Sequence, residues 1–264
     1  MTEATAILLE QQQFGDWAWL TLGSAQRSSA LVTARPGQFV AVRCTSVGSY
    51  DPLIRRPLFI AAVDAQAGTC QLLVARTDPA FAFLSSLSRG AQLDALGPLG
   101  QGWTIDGATR MLALLGAAAD AAALFGLAHW AVGRGLSVSV LLGADETLGA
   151  PAPFLLPAAA EYNVAAGDQA VGAALGLLDD QVLRWADQLA VALPQGLLGA
   201  VAQRVRNVRL QWGRGFAQAA LLHPDGGGLA CAIGVCGVCA LETRQGRRLS
   251  CVDGPIFDLR DLVR

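Results

Sequence analysis

The stretch LACAIGVCGVCALETRQGRRLSC, residues 229–251, contains four of the six cysteines of the chain. They are Cys231, Cys236, Cys239 and Cys251, in the spacing C-x4-C-x2-C-x11-C. Three closely spaced thiolates and a fourth that returns from a later strand or hairpin suit a [2Fe–2S] cluster, which takes four cysteine ligands. The small residues between them let the backbone close around the inorganic sulfides. We therefore predict an iron–sulfur site here.

Other uses of these cysteines stay open at this point. A structural zinc site more often has two C-x2-C pairs, whereas this stretch has one, Cys236 and Cys239. A disulfide framework needs an oxidising compartment. Buried cysteines can also act as small apolar side chains, although that use would not place four of them together among glycines.

The overall composition is that of a folded protein whose main partner is not nucleic acid. Of 264 residues, 53% are hydrophobic and 15% are charged, and the net charge is −2. No basic run is present, which argues against nucleic-acid binding. The N-terminus, MTEATAILLEQQQ, lacks the pattern of a signal peptide, so we expect a cytoplasmic protein with reduced thiols. The apolar run 110–134 is predicted as a strand and a helix, not a membrane span, because Gly116 and Asp120 interrupt it.

The hydrophobic pattern divides the chain into three parts. Short alternating or apolar runs up to residue 75, with a further strand at 92–96 before a turn at Gly97 and Pro98, predict an antiparallel β-barrel. From residue 110, a strand at 110–115, a helix at 120–133 and a strand at 137–142 predict a Rossmann-like parallel α/β domain. We place the barrel at 1–105, the α/β domain at 106–215 and the cysteine module at 216–264, joined by the connector HPDGGG at 223–228.

This order of domains resembles the electron-transfer subunit of the B-type dihydroorotate dehydrogenases, a branch of the ferredoxin–NADP reductase superfamily. The resemblance rests on four segments besides the cysteine spacing: PGQFVAVR (36–43), IRRPLFI (54–60), LDALGPLGQGW (93–103) and SCVDGPIFDLRDL (250–262). It covers nearly the whole chain, and the cysteine module with its DGPIFD tail is its most specific part.

The resemblance implies three redox groups and a partner. The barrel would bind FAD, the α/β domain would bind NAD, and the cluster would pass electrons between FAD and an FMN in a separate catalytic subunit of pyrimidine biosynthesis. The four cysteines of 231–251 would be the cluster ligands. The flavin strand would comprise Arg56, Pro57, Leu58 and Phe59. The chain would therefore work within a hetero-oligomer, as an oxidoreductase component with no catalytic residue of its own.

The flavin motif is only partly present. Arg56 and Pro57 match the family pattern Arg-Pro-x-Ser, and an arginine can pair with a diphosphate. Phe59 stands at the serine position and cannot donate a hydrogen bond. The family's Gly-x-Gly-Thr loop is replaced by Asp78-Pro79-Ala80-Phe81, which adds a negative charge and removes one N–H donor. The sequence therefore leaves FAD binding open.

The nucleotide motifs depart further from the family. The glycine run between strand and helix reads Gly116-Ala117-Ala118-Ala119-Asp120, and Asp120 is predicted to cap the helix in place of a phosphate. The segment AAGDQAVG (165–172) keeps only Asp168 and Gly172 of an acidic, glycine-containing loop. The family's Cys-Gly-Pro turn is Ala192-Leu193-Pro194 here. We do not expect NAD to bind.

The remaining candidates have structural explanations. His129 and His223 have no companion at a metal-ligand spacing, and Cys44 and Cys70 are expected in the barrel core. Three functions stay open: an electron-transfer subunit; a divergent iron–sulfur subunit without nucleotides, which serves docking, structure or redox sensing; and a complete NAD-dependent flavin reductase.

Overall fold

A computed structural model describes residues 3–24, 30–46, 49, 52–222 and 229–263 of the chain. Within these ranges the chain forms a closed antiparallel barrel, a six-stranded sheet flanked by helices, and a two-stranded hairpin. The connector 223–228, with His223, lies outside the described residues. The predicted fold class, a barrel followed by a Rossmann-like sheet and a small C-terminal module, is confirmed.

The barrel is built from the first part of the chain. Its strands are β1 (Glu3–Phe14), β2 (Trp17–Ser24), β3 (Phe39–Val42), β4 (Arg56–Asp64), β5 (Thr69–Ala75) and β6 (Gln92–Leu99), with the short helix α1 (Phe81–Ser85) before β6. The strands close in the order β1-β2-β5-β4-β3-β6. Alternate side chains such as Leu8, Leu20 and Leu72 are fully buried inside, as the alternating pattern predicts. Cys44 and Cys70 are buried in the same core, as expected.

Strand β6 differs from its prediction. The expected turn at Gly97 and Pro98 is wrong, because the strand continues to Leu99. A Cβ at Gly97 would lie 2.8 Å from Cγ1 of Val40. This glycine therefore permits the close approach of β3 and does not end the strand.

The second part of the chain alternates strands and helices around a central sheet. Its strands are β7 (Met111–Ala117), β8 (Ser137–Ala144), β9 (Glu161–Ala166), β10 (Gln188–Ala192), β11 (Ala217–Ala220), β12 (Ala240–Thr243), β13 (Gly246–Leu249) and β14 (Ile256–Asp258). Its helices are α2 (Ala122–Val132), α3 (Ala170–Leu177), α4 (Asp180–Trp185), α5 (Leu198–Val208) and α6 (Leu259–Leu262). The sheet order is β14-β11-β10-β7-β8-β9, parallel except for β14, while β12 and β13 form the separate hairpin.

Helix α2 lies between the barrel and the sheet. Gly116 of β7 lets the helix approach, because a Cβ there would be 2.8 Å from Cδ1 of Leu124. On the barrel side, a Cβ at Gly126 would be 2.7 Å from the carbonyl oxygen of Ile60. A helix that packs on both sides must be apolar around most of its surface, which explains the long apolar run. None of the helices in the described part of the chain has the length and apolar character that crossing a bilayer requires.

The C-terminal segment is attached to both preceding parts. Strand β14 pairs with β11, with Phe257 opposite Ala219. The hydroxyl of Ser250 donates to the carbonyl of Leu221, and the backbone N–H of Gln101, just after β6, donates to Gly254. The cysteine module is therefore fixed relative to the barrel and the sheet.

The contact between β8 and α3 provides a test of the packing. A Cβ at Gly143 would overlap the carbonyl oxygen of Ala170 and lie 2.6 Å from the backbone nitrogen of Ala174. Gly143→Ala should lower the free energy of unfolding by about 3 kcal/mol, because neither backbone atom can move independently. Gly172 is an exposed position of α3 where a Cβ would meet nothing within 4 Å, so Gly172→Ala should instead stabilise by about 0.5–1 kcal/mol. Urea titration of both variants measures the difference, and equal effects would contradict this packing.

Candidate metal centre and cofactor cleft

The hairpin β12–β13 brings distant cysteines together. Ala240 pairs with Leu249, and the backbone N–H of Ser250 donates to the carbonyl of Cys239 at 3.0 Å. This register places Cys251 beside Cys239, with their sulfur atoms 3.3 Å apart. Both side chains are buried. The eleven-residue gap in the cysteine spacing is therefore the length of one tight hairpin.

The other two cysteines form a second pair nearer to solvent. Cys231 is partly buried and Cys236 is exposed. The backbone N–H of Cys236 lies 3.4 Å from the Cys231 sulfur, and the Cys236 thiol contacts the same atom. The loop can fold so tightly because Gly234 and Gly237 have φ angles of +82° and +72°, which glycine adopts without steric cost.

Backbone amides of the loop point at the sulfur atoms. Desolvation alone would raise the pKa of Cys231, but hydrogen bonds from Ile233, Cys236 and Val235 lower it to about 6. Burial, followed by the neighbouring Cys239, raises the pKa of Cys251 to about 12, although the N–H of Gly234 opposes this. Amide donors to sulfur stabilise the thiolate, which is the form that binds metal.

The described residues hold the four thiols as two pairs. Among the described residues, no three Cys, His, Asp or Glu side chains converge as a single metal ion would require. A structural zinc ion needs its four ligands around one point, whereas a [2Fe–2S] cluster spreads four thiolates over two irons. The pairs Cys231–Cys236 and Cys239–Cys251 fit the two-iron centre. The assignment of these four cysteines as cluster ligands stays a prediction.

The predicted flavin residues line a cleft between the barrel and α2. Arg56, Pro57, Leu58 and Phe59 form one wall, and the end of β5, the turn 77–79, the start of α2 and Leu222 form the others. Its volume is about 190 Å³. The aromatic ring of Phe59 is buried in the core between barrel and sheet, so it serves packing in place of the hydrogen bond that a serine would supply.

The charges in this cleft do not fit a diphosphate as they stand. Asp78 lies 3.4 Å from Nε of Arg56 and accepts the N–H of Ala80 at 2.8 Å. The guanidinium that would hold a phosphate is thus already paired with a carboxylate of the same chain. The residues suit the apolar part of a flavin better than its diphosphate.

Two carboxylates of the chain itself lie near the starts of α2 and α3. The predicted N-cap at Asp120 is wrong, because α2 begins without a side-chain cap. Asp120 lies in a 3-10 turn, one residue before the N-cap residue Ala121. Desolvation raises its pKa to about 6. Asp145, which the sequence reasoning missed, accepts the N–H of Ala170 at the start of α3. No sequence signal identifies Asp145, because 25 residues separate the two partners.

The remaining sequence candidates have structural roles. Nε2 of His129 lies 3.0 Å from the carbonyl oxygen of Leu155, which ties α2 to the loop after β8. Asp168 is exposed in the loop after β9 and does not line the cleft beside Arg56–Phe59.

Comparison with known proteins agrees with this geometry. Residues 228–263 match the iron–sulfur cluster binding domain of dihydroorotate dehydrogenase B. Over 236 residues the chain is 30% identical to the dihydroorotate dehydrogenase B (NAD(+)) electron transfer subunit of Bacillus caldolyticus, with 87% of each chain covered. The chain belongs to this family. The electron transfer subunit of Geobacillus thermodenitrificans (strain NG80-2) is 30% identical over 234 residues, 86% of each chain. The resemblance seen in the sequence is confirmed.

Solved structures share the fold. The NADH-dependent reduced ferredoxin–NADP oxidoreductase superposes with a TM-score of 0.76 at 20% identity, over 98% of this chain and 90% of that one. The flavohem-like FAD/NAD binding domain of nitric oxide dioxygenase from Vibrio cholerae O1 biovar El Tor gives 0.63 at 14% identity, over 83% and 98%. Identities this low show the fold alone.

The ligand assignment can be tested at the exposed cysteine. Cys236→Ser should abolish or strongly alter the visible absorption of the anaerobically purified protein and lower its iron and sulfide content, because a serine oxygen poorly replaces a thiolate. Cys44→Ala, in the barrel core, is the matched control and should keep the cluster bands. An unchanged spectrum in Cys236→Ser would show that the assignment is wrong. Colourless protein that contains zinc would identify a zinc site instead.

The carboxyl of Asp120, which is partly buried at the cleft, predicts a pH-dependent stability. Its pKa rises on folding from 3.8 to about 6, so the folded chain holds the proton more tightly and loses stability as the pH rises through this range. Asp120→Asn should raise the free energy of unfolding at pH 7.5 by about 1–2 kcal/mol, since water in the cleft screens part of the full effect.

Denaturant titrations from pH 4 upward provide the measurement. The gain in the free energy of unfolding from Asp120→Asn should increase up to about pH 6.5 and then level off. Asp168→Asn, in the exposed loop after β9, is the control and should leave the pH profile as it is. A constant difference at every pH would refute this explanation.

Proposed function

We propose that this chain is an electron-transfer subunit that holds a [2Fe–2S] cluster on Cys231, Cys236, Cys239 and Cys251. It exchanges electrons with an FMN-containing catalytic subunit of the dihydroorotate dehydrogenase type, in pyrimidine biosynthesis. The single observation that carries this proposal is the arrangement of the four thiols in two pairs, one buried and one nearer to solvent, in a chain of this family.

The positions of the two pairs support a route for electrons through the protein. Cys239 and Cys251 belong to the same apolar core as Phe59, Leu73 and Leu222, which line the cleft. Cys236, in the other pair, reaches the surface. When bound, a cluster would supply one-electron transfer; Cys239 and Cys251 would hold it on the side of the core, and Cys231 and Cys236 on the side nearer to solvent.

The surface around the exposed pair supports docking of that partner. The exposed fractions of Val235, Val238 and Val252 are 80%, 56% and 44%. Apolar side chains grouped in this way mark sites of protein association. The partner's FMN would then lie near the exposed end of the cluster site, in a hetero-oligomer.

The cleft beside Arg56–Phe59 is the proposed place of FAD. Its position between barrel and sheet and its apolar walls support a flavin ring there. NAD is not part of the proposal, because internal carboxylates lie at the starts of α2 and α3. These carboxylates also favour a second candidate function, an iron–sulfur subunit that binds no nucleotide and serves docking, structure or redox sensing.

Two further expectations belong to the proposal. We place the protein in the cytoplasm, where reduced thiols are free to bind iron. The barrel comprises 1–105, the α/β domain 106–215 and the cluster module 216–264; β11 and β14 join this last segment to the central sheet.

A docking variant tests the proposed function. Val235→Asp should weaken binding to the catalytic subunit of dihydroorotate dehydrogenase B by about tenfold or more, because a charge is then buried in the interface. It should also slow reduction of the cluster by dihydroorotate by a similar factor. The absorption spectrum of the cluster should stay unchanged. Leu210→Asp, at a 91% exposed residue after α5, is the control and should bind normally. Equal behaviour of the two variants would contradict docking at the cluster loop.

Acid extraction of flavin separates the two candidate functions. Bound FAD, together with cluster reduction by dihydroorotate through the partner, supports the electron-transfer subunit. Cluster bands without extractable flavin, and no electron exchange with the partner, support the second candidate.

A further inference from the structure

The pair formed by Arg56 and Asp78 is unusual in its geometry. Asp78 lies 3.4 Å from Nε and 3.5 Å from Nη2 of Arg56, distances longer than the roughly 2.7–3.2 Å of a good N–H···O hydrogen bond. The Nε atom is buried and has no hydrogen-bond partner among the described residues. The carboxylate thus neutralises the guanidinium but leaves the N–H donors of Arg56 without a well-placed acceptor. A better-placed oxygen anion could replace it.

Asp78 is held in this position by its own segment. One carboxylate oxygen accepts the N–H of Ala80 at 2.8 Å, and its side chain is only 14% exposed, against 25% for Arg56. The carboxylate therefore stays beside the guanidinium.

The rest of the cleft opposes a second anion. Among the described residues that line it, Arg56 carries the only positive charge, while Asp78 and Asp120 carry negative ones. A diphosphate would bring two more negative charges into this partly desolvated space, where like charges repel more strongly than in water. The volume of about 190 Å³ is also below the roughly 300–1,000 Å³ of most ligand pockets. Charge and enclosed volume thus both oppose a diphosphate beside Arg56.

We infer that Asp78 is an internal competitor for the diphosphate of FAD at Arg56, so that FAD binds this chain only by displacing that carboxylate. The inference rests on the proposed flavin site. It makes Asp78 a residue that determines specificity: it weakens binding of a flavin with a diphosphate and leaves binding of a flavin without one unaffected. Riboflavin, which has the same ring system and no phosphate, is the ligand that separates these effects.

Flavin titrations of the flavin-depleted, cluster-containing protein test the inference. Asp78→Asn should tighten FAD binding by about tenfold or more, because it removes the competing charge, and should leave riboflavin affinity unchanged. Asparagine keeps an oxygen that can accept the Ala80 N–H, so the fold should be retained. Asp78→Ser, which also keeps an acceptor, is the second variant. In an Arg56→Gln background the gain should disappear, because the two side chains act as one pair.

A neighbouring ion pair provides the matched control. Arg55 and Asp94 lie 2.6 Å apart and are 31% and 41% exposed, and neither lines the cleft. Asp94→Asn should change neither affinity. FAD binding that is unchanged or weaker in both Asp78 variants would overturn the inference, and so would an equal gain for riboflavin.

The same samples distinguish this failure from a failure of the proposed function. If no variant binds either flavin, both the inference and the proposed flavin site fall. The cluster spectrum and the reaction with the partner then still report on the proposed electron transfer independently.

Discussion

The packing of α2 against both the barrel and the sheet is the contact on which the rest of the structure depends. Gly116 and Gly126 allow the helix to approach each side more closely than a side chain would permit. The result is one apolar core that runs from Trp17 in the barrel to Cys251 in the cluster module. Because burial of apolar area is the main favourable term in folding, the three parts of the chain are held in one arrangement. The cleft exists where this core opens towards solvent.

The cluster site depends in turn on the hairpin β12–β13 and its attachment. The hairpin register sets the distance between Cys239 and Cys251, and the Ser250–Leu221 hydrogen bond ties it to the segment that lines the cleft. The amides of the loop then act on the other pair, where three of them point at Cys231. Negative charge is therefore stabilised at the pair nearer to solvent, Cys231 and Cys236.

The sequence predicted what short-range patterns encode. The barrel strands followed from alternation, and the prediction of an iron–sulfur module followed from the cysteine spacing within a single loop. The sequence could not reveal pairings that only the tertiary fold creates. The contact of Asp145 with Ala170 and the addition of β11 and β14 to the sheet link residues far apart in the chain. Asp120 was misplaced for the opposite reason: a 3-10 turn of four residues shifts the helix start, and local composition does not distinguish such a turn from the first turn of an α-helix.

The two candidate sites respond differently to substitution because they are assembled differently. The proposed cluster ligands all come from one segment of the chain, so the cluster site should persist as long as the loop and its hairpin fold. The cleft combines the start of β4, the end of β5, the turn before α1, the start of α2 and Leu222, and a single carboxylate in any of them changes its charge. Asp78 does this while the barrel around it keeps its strand order. A fold can therefore keep the shape of a flavin protein while its affinity for the flavin diphosphate is set by one side chain, since the fold positions a site and the residues in it decide the chemistry.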